Sequence, residues 1–229
     1  FLPLFHIMQD QTQDQFSQEF QLLGNIGTKV DYVAGVYYFT ESNQQFTENA
    51  VLSPMGTNRY TDSSLDTDSY AGFASFDFRL ADNLTLTAGG RWTEDTKDFD
   101  ITVFYPTGDQ MIACVAPDGS IFNSRAPCGP DAPPGSVDTP VEKQLKESWS
   151  RFTPRLALAW NAADNILAYV DFSTGFKSGA FDGRANEGST VLPLEPIPPE
   201  DIQSYEIGMK ADFFRNTWRL NVAAFLSNY

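Results

Sequence analysis

Apolar and polar residues alternate along most of this chain with a period of two. From Tyr70 to Leu80 the even positions Tyr70, Gly72, Ala74, Phe76, Phe78 and Leu80 stand against Ala71, Phe73, Ser75, Asp77 and Arg79. Successive side chains of a strand point to opposite faces, so this segment predicts a strand with one apolar and one largely polar face. Ala81-Asp82-Asn83 supplies turn chemistry. Leu84, Leu86, Ala88, Gly90 and Trp92 then repeat the stripe against Thr85, Thr87, Gly89, Arg91 and Thr93.

The same hairpin recurs. Phe152, Pro154, Leu156, Leu158 and Trp160 lead through 161–165 to Ile166, Ala168, Val170 and Phe172. Tyr205, Ile207, Met209, Ala211 and Phe213 lead through 214–216 to Trp218, Leu220, Val222, Ala224 and Leu226. The first pair, 16–23 and 30–40 around a Gly24-Asn25-Ile26-Gly27 turn, is less clean, with apolar residues on both faces. The pattern predicts eight strands of about 10–12 residues in four antiparallel hairpins. Residues 1–14 read as an unpatterned loop or tail, and 15–229 as the patterned unit. Long connections are expected at about 41–68, 95–147 and 177–200, all at one end of the strands, with short turns at the other.

Alternation alone does not separate a membrane barrel from a soluble β-sandwich. Three features favour the barrel. The strands exceed the usual ~5–6 residues. Aromatic residues bracket the apolar stripes: Phe78, Trp160, Phe213 and Trp218 near the short turns, and Phe39, Trp92, Trp149 and Phe172 towards the long loops. Leu84 to Trp92 spans ~27 Å along a strand, or ~20 Å after tilting, close to the ~25 Å apolar band between aromatic girdles. Finally, connection length is strictly asymmetric, as in outer-membrane barrels with short periplasmic turns and long extracellular loops.

Composition narrows the function. Hydrophobic residues make up 41% of the 229 residues, and 15 Lys+Arg against 30 Asp+Glu give a net charge of −15. That is the wrong sign for a nucleic-acid partner. The apolar run Tyr32–Phe39 is far below the ~20 residues of a transmembrane helix, which leaves strands as the route across a bilayer. Phe1 to His6 has neither the basic region nor the apolar stretch of a signal peptide. His6 is the single histidine, so no His-based metal site or triad is expected. No metal or other cofactor is expected.

The three long loops carry 18 acidic and 7 basic residues, −11 of the −15. They read as solvated surface, or as an acidic vestibule for cationic ligands. Cys114 and Cys128, both in the longest loop, are expected to form a disulfide suited to an oxidising exterior. Gly175-Phe176-Lys177-Ser178 lacks the upstream glycine of a phosphate-binding loop. Carboxylate pairs such as Glu94-Asp95 lie in water, where nothing tunes their acidity, so no catalysis is expected. Pro154 within a strand marks a bulge or the strand's outer start. The polar stripes carry Asp77, Arg79, Arg91, Arg151, Arg155, Asp171, Glu206, Lys210 and Arg219. These are lumen-facing candidates that suit a wide wet lumen or contact with a plug; Arg79, Arg91, Arg151, Arg155 and Lys177 read as salt bridges across the wall or to a plug, or as guides for an anionic ligand.

Several phrases, in order and spacing, resemble the barrel of TonB-dependent outer-membrane receptors. They include Val33-Ala34-Gly35-Val36-Tyr37-Tyr38-Phe39, Leu86-Thr87-Ala88-Gly89-Gly90-Arg91-Trp92-Thr93-Glu94-Asp95, Phe152-Thr153-Pro154-Arg155 and Ser173-Thr174-Gly175-Phe176-Lys177-Ser178-Gly179. Phe16-Ser17-Gln18-Glu19-Phe20 and Ser204-Tyr205-Glu206-Ile207-Gly208-Met209-Lys210 belong to the same set. The resemblance implies an internal eight-strand part of a 22-stranded barrel in the bacterial outer membrane. It implies energised import of a scarce, bulky nutrient such as a ferric siderophore. The implied partners are the lipid bilayer and lipopolysaccharide, the receptor's own plug domain, and a TonB-type energy-transducing protein acting through the plug. Two alternatives remain open at this level: a passive porin-like channel and a soluble carbohydrate-binding sandwich.

Overall fold

The computed structural model describes residues 5–51, 59–104, 111–115, 121–125, 137–138, 141–182, 195–214 and 217–229. Eight strands form one antiparallel sheet. They are β1 (Phe5–Ile26), β2 (Val30–Val51), β3 (Arg59–Ala81), β4 (Leu84–Phe104), β8 (Val141–Ala163), β9 (Ile166–Lys177), β10 (Glu200–Phe213) and β11 (Trp218–Asn228), paired in that order. A separate three-stranded sheet, β5 (Met111–Val115), β6 (Ile121–Arg125) and β7 (Val137–Asp138), lies in the connection between β4 and β8. Among the described residues there is no helix.

Short turns join the hairpins at one end, as the pattern predicts. Gly27 takes φ 62° at the first, a conformation that glycine adopts without steric cost. Asp82-Asn83 and Asp164-Asn165 close the next two, and Phe214 carries φ 51° in the last. Register shifts occur only beside turns, between Arg79 and Ala81 and between Asn161 and Ala163. Pro154 therefore marks no bulge. It pairs with Gly90 on one side and lies one residue beyond the β9 ladder, which starts at Arg155↔Ser173. A proline is tolerated where a strand has no ladder to feed on one side.

Cross-strand partners share a face, so the register assigns every side chain to one of two sets. Val30↔Phe78, Phe78↔Leu86, Leu86↔Leu158, Leu158↔Val170, Val170↔Ile207 and Ile207↔Ala224 run across the sheet as one apolar row. The apolar stripe covers the eight-residue steps Val30–Tyr38, Phe78–Tyr70, Leu84–Trp92, Trp160–Phe152, Phe213–Tyr205 and Trp218–Leu226. Such a step makes a belt ~27 Å long along the strand.

Among the described residues nothing packs on that belt. Phe76, Leu86, Leu158, Val170, Ile207 and Val222 all lie on it beneath no second layer, with Ile207 61% and Val222 55% exposed. Among the described residues the buried apolar ones are only Ala71, Phe99, Ile101 and Ala211. A single sheet with so little interior cannot be held together by burial against itself; its apolar face needs an apolar surrounding. A stacked sandwich, by contrast, would bury that face against a second sheet.

Three expectations need correction. Five of the strands are not 10–12 residues long, since β1 to β4 and β8 run 21 to 23; β9 and β11, at 12 and 11, fit, and β10 has 14. Residues 5–14 are not a tail, since Phe5–Asp14 pair with Val51–Ser42. Much of 41–68 and 95–147 is ladder: Glu41↔Thr67, Glu48↔Tyr60, Asp98↔Lys146 and Ile101↔Lys143. The reason is physical. Just beyond the belt pairing continues with polar residues on both sides, so the apolar alternation that reveals a strand lapses; it resumes farther out at Phe99 and Ile101, which are buried.

Candidate functional site

The polar set forms the second face. All nine lumen-facing candidates fall on it. Asp77↔Thr87, Phe73↔Arg91 and Thr93↔Arg151 carry it from β3 to β8, with Arg79 two positions from Asp77. Ala157↔Asp171, Asp171↔Glu206, Lys210↔Asn221 and Asp212↔Arg219 carry it to β11, with Arg155 beside Ala157 on the same face.

Most of their charges are cancelled locally. Arg79 pairs with Asp31 and donates to the Thr28 carbonyl at 2.7 Å. Arg151 holds Asp201 with two hydrogen bonds of 2.8 and 2.7 Å. Arg155 donates to Asp171 at 2.8 Å, and Arg219 grips Asp212 through Nε and Nη2 at 2.7 and 3.0 Å. Thr87 donates to Asp77 at 2.6 Å, and the Tyr169 hydroxyl donates to Glu206 at 2.5 Å. Lys210 lies 5.8 Å from the Tyr169 ring centre. Arg91 differs: it sits over Tyr37 and Phe73 at 5.2 and 5.7 Å and donates to Thr93. Salt bridges along the wall thus account for the row better than a free cationic track would.

Six of the eight aromatic residues expected to bracket the belt share its face. Phe78, Trp92, Trp160, Phe172, Phe213 and Trp218 lie on the apolar face, as Trp92↔Phe152, Phe172↔Tyr205 and Phe213↔Trp218 show. Phe39 and Trp149 do not. Phe39 pairs with Ser69, and Trp149 with Asp95, both on the polar face. The aromatics at the outer edge of the belt are instead Phe16, Tyr38, Tyr70, Phe152 and Tyr205, with Tyr38 and Tyr70 in contact at 5.0 Å between ring centres. Phe39 stands one residue from Tyr38 and Trp149 three from Phe152, because β2 is apolar on both faces and β8 is apolar at Trp149 and Phe152 alike.

Trp149 has a different task. The segment after β9 turns back onto the polar face, tied by reciprocal backbone bonds between Ala180 and Ile197. Phe181 stacks on Phe99 at 5.5 Å and meets Trp149 at 6.0 Å. Lys97 donates to the Gly179 carbonyl at 2.8 Å and lies 6.0 Å from the Trp149 ring. Burial in this cluster holds the Lys97 ammonium below the ordinary lysine value.

Beyond the belt, acids gather on one face and amides and hydroxyls on the other, with Glu41 and Asp95 among the acids that share the amide face. Asp62, Asp66, Asp68, Glu94, Asp98 and Asp100 stand on the face continuous with the apolar stripe. On the opposite face β1, β2 and β3 present amides and hydroxyls around a recess of about 620 Å³, closed at one end by Phe99 and Phe181. The sequence reading passed over these residues because uncharged polar side chains carry no catalytic or metal signal. Their signal is parity: odd positions 9–15 are all glutamine while Asp10 and Asp14 are even. Cys128 lies outside the described residues and of Cys114 only the backbone is described, so the expected disulfide falls outside them too. Among the described residues no cluster of three or more metal-ligating side chains occurs.

A family model described as TonB dependent receptor-like, β-barrel, matches residues 5–229. Among solved structures, the ferric yersiniabactin uptake receptor FyuA from Yersinia pestis aligns with a TM-score of 0.73 at 15% identity, over 98% of this chain and 30% of that one. The ferric-catecholate import receptor Fiu from E. coli K12 aligns with a TM-score of 0.60 at 16% identity, over 95% and 31%. The alcaligin outer membrane receptor FauA from Bordetella pertussis gives 0.52 at 16%, over 98% and 30%. The chain spans about 30% of the length of these structures. At such identities the likeness carries the fold, and the family match carries membership: this chain belongs to the TonB-dependent receptor β-barrel family.

Proposed function

We propose that this chain is wall and outer vestibule of a larger, 22-stranded outer-membrane barrel that imports a ferric siderophore, powered by a TonB-type partner acting through a plug domain. The observation that carries the reading is the two-faced single sheet: an unpartnered apolar belt on one side and a row of paired charges on the other. The belt suits lipid and the charged row suits a wet lumen or a plug. Family membership supports the transport role, and the fold likeness to receptors named for ferric yersiniabactin and ferric catecholate uptake supports iron chelates as cargo. Receptors and transporters make up the family, so the chain's role is capture and passage rather than chemistry on the ligand.

The belt sits in the outer membrane with the strand extensions outside, beside lipopolysaccharide. Radiolabelled iron uptake by cells starved of iron tests the proposal. Uptake of at least one ferric chelate falls on deletion of the gene and equally on loss of the energy-transducing partner. Uptake that persists without that partner, together with conductance in a planar bilayer, would instead favour a passive channel.

A further inference from the structure

The gathering of amides and hydroxyls on one face beyond the belt bears on which ligand the vestibule accepts. Gln9, Asn43, Gln45, Thr47, Asn49 and Ser63 line the recess from three neighbouring strands, where Gln9↔Thr47 and Gln45↔Ser63 are direct partners. Asp182 is the one charged residue among those lining it. Among the described residues no lysine or arginine lines it. On this face Lys97 is engaged with Gly179, Lys177 with Glu200, Arg151 with Asp201, and Arg91 over two aromatic rings; Lys143, which follows Gln45, Ser63 and Ile101 in one cross-strand row, is engaged as well.

Among the described residues lining this recess an anionic ligand meets no positive charge, and it approaches through a field set by the carboxylates of the surrounding wall. Amides both donate and accept, and hydroxyls do the same. A wall of such groups satisfies a ligand rim made of amides and hydroxyls. It leaves the same groups unpaired against a ligand without them, which is the stronger source of discrimination. Ferric complexes sort by this criterion. Three singly charged hydroxamates cancel the charge of ferric iron, whereas three doubly charged catecholates leave a surplus of negative charge.

We infer that the recess is a specificity wall for an uncharged ligand bearing amide and hydroxyl groups, which under the import reading above is a ferric tris-hydroxamate of zero net charge. The inference rests on that reading for the iron, and on the recess for the charge.

Equilibrium binding to the intact receptor in outer-membrane vesicles tests it, using three probes: a neutral ferric tris-hydroxamate, a ferric tris-catecholate and a neutral oligosaccharide. The hydroxamate is expected to bind at least about tenfold more tightly than the catecholate. The double variant Asn43→Lys, Gln45→Lys places two cations on the wetted wall above the belt, where folding is checked by heat-modifiable migration on a gel. It is expected to strengthen catecholate binding about tenfold and to weaken hydroxamate binding. Tighter catecholate binding by the unaltered receptor, or no response of either probe to the folded variant, overturns the inference, as does binding of none of the three. Binding of the oligosaccharide alone, weakened by the variant, upholds the neutral wall and removes the iron reading instead.

Discussion

Phe73 on β3 lies directly across from Gly35 on β2, and its ring takes the space a side chain at 35 would need. A Cβ on Gly35 would come 2.5 Å from Phe73 Cζ and 2.7 Å from the Phe20 carbonyl oxygen. Covering a strand glycine with a cross-strand aromatic ring stiffens a position that is otherwise weak in a sheet. The same ring lies 5.7 Å from the Arg91 guanidinium, so the glycine also sets where that cation rests. Gly35→Val is expected to force the ring aside and to cost about 1–3 kcal/mol. The urea midpoint of the protein refolded in detergent reads the loss. An unchanged midpoint would show that the ring is free to move at no cost.

Leu156 sits at the middle of the apolar belt, four positions from Phe152 and four from Trp160, with its partner Ala88 on β4. If the belt meets hydrocarbon, Leu156→Arg costs about 2–4 kcal/mol, the penalty for a cation at the bilayer midplane. Thr87→Arg is the control. It lies on the polar face one residue from Ala88, and Asp77 directly opposite can receive the guanidinium. Folding into lipid vesicles, followed by gel migration and urea titration, should fail or weaken for the first and hold for the second. Equal tolerance of both would mean that the belt does not face lipid.

The contrast between belt and extension explains what the sequence made legible. Between Leu84 and Trp92 one face must be apolar and the other wet, so the alternation is written into the residues and yields strand, face and turn together. Between Thr93 and Asp98 the chain remains paired strand, yet Glu94, Thr96 and Asp98 on one face and Asp95 and Lys97 on the other are all polar, and apolar residues resume only at Phe99 and Ile101. With no apolar stripe to preserve, strand and loop look alike. The paired charges were legible as a row, but the pairings were not. Arg151 with Asp201 spans 50 residues of sequence, and only the β8–β9–β10 order brings them together. Trp149 was assigned to the lipid belt because its partner Phe181 lies on a returning segment that no local pattern announces.

That returning segment yields a local prediction. Phe181 joins Phe99 and Trp149 in the one compact apolar cluster on the polar face, where Phe99 is 5% and Ile101 2% exposed. Phe181→Ala removes the ring that holds 178–182 down, at a local cost of up to about 3 kcal/mol. The expected consequence is faster hydrogen exchange at the Ala180 and Ile197 amides, which bond to each other's carbonyls at 3.2 and 2.7 Å. The amides of Arg91 and Thr93, deep in the ladder, should keep their protection. Loss of protection at both places would show that the segment is part of what holds the sheet.

Arg151 and Asp201 supply the prediction in pH. Both lie just outside the belt, past Phe152 and Tyr205, and both are half exposed, so their attraction is screened by water and salt. The hydrogen bonds from Arg151 hold the Asp201 carboxyl below the ordinary aspartate value. A carboxylate whose folded value is depressed contributes its stability in full above the unfolded value, near pH 4, and loses it as pH falls through the lower folded value. Asp201→Asn should therefore lower the urea midpoint slightly at neutral pH, by less than either Gly35→Val or Leu156→Arg. The gap to the unaltered protein should close as the pH is taken below about 4, and it should shrink at neutral pH on adding salt. A gap that stays constant into strong acid would show that Asp201 acts through the shape of its side chain and not through its charge.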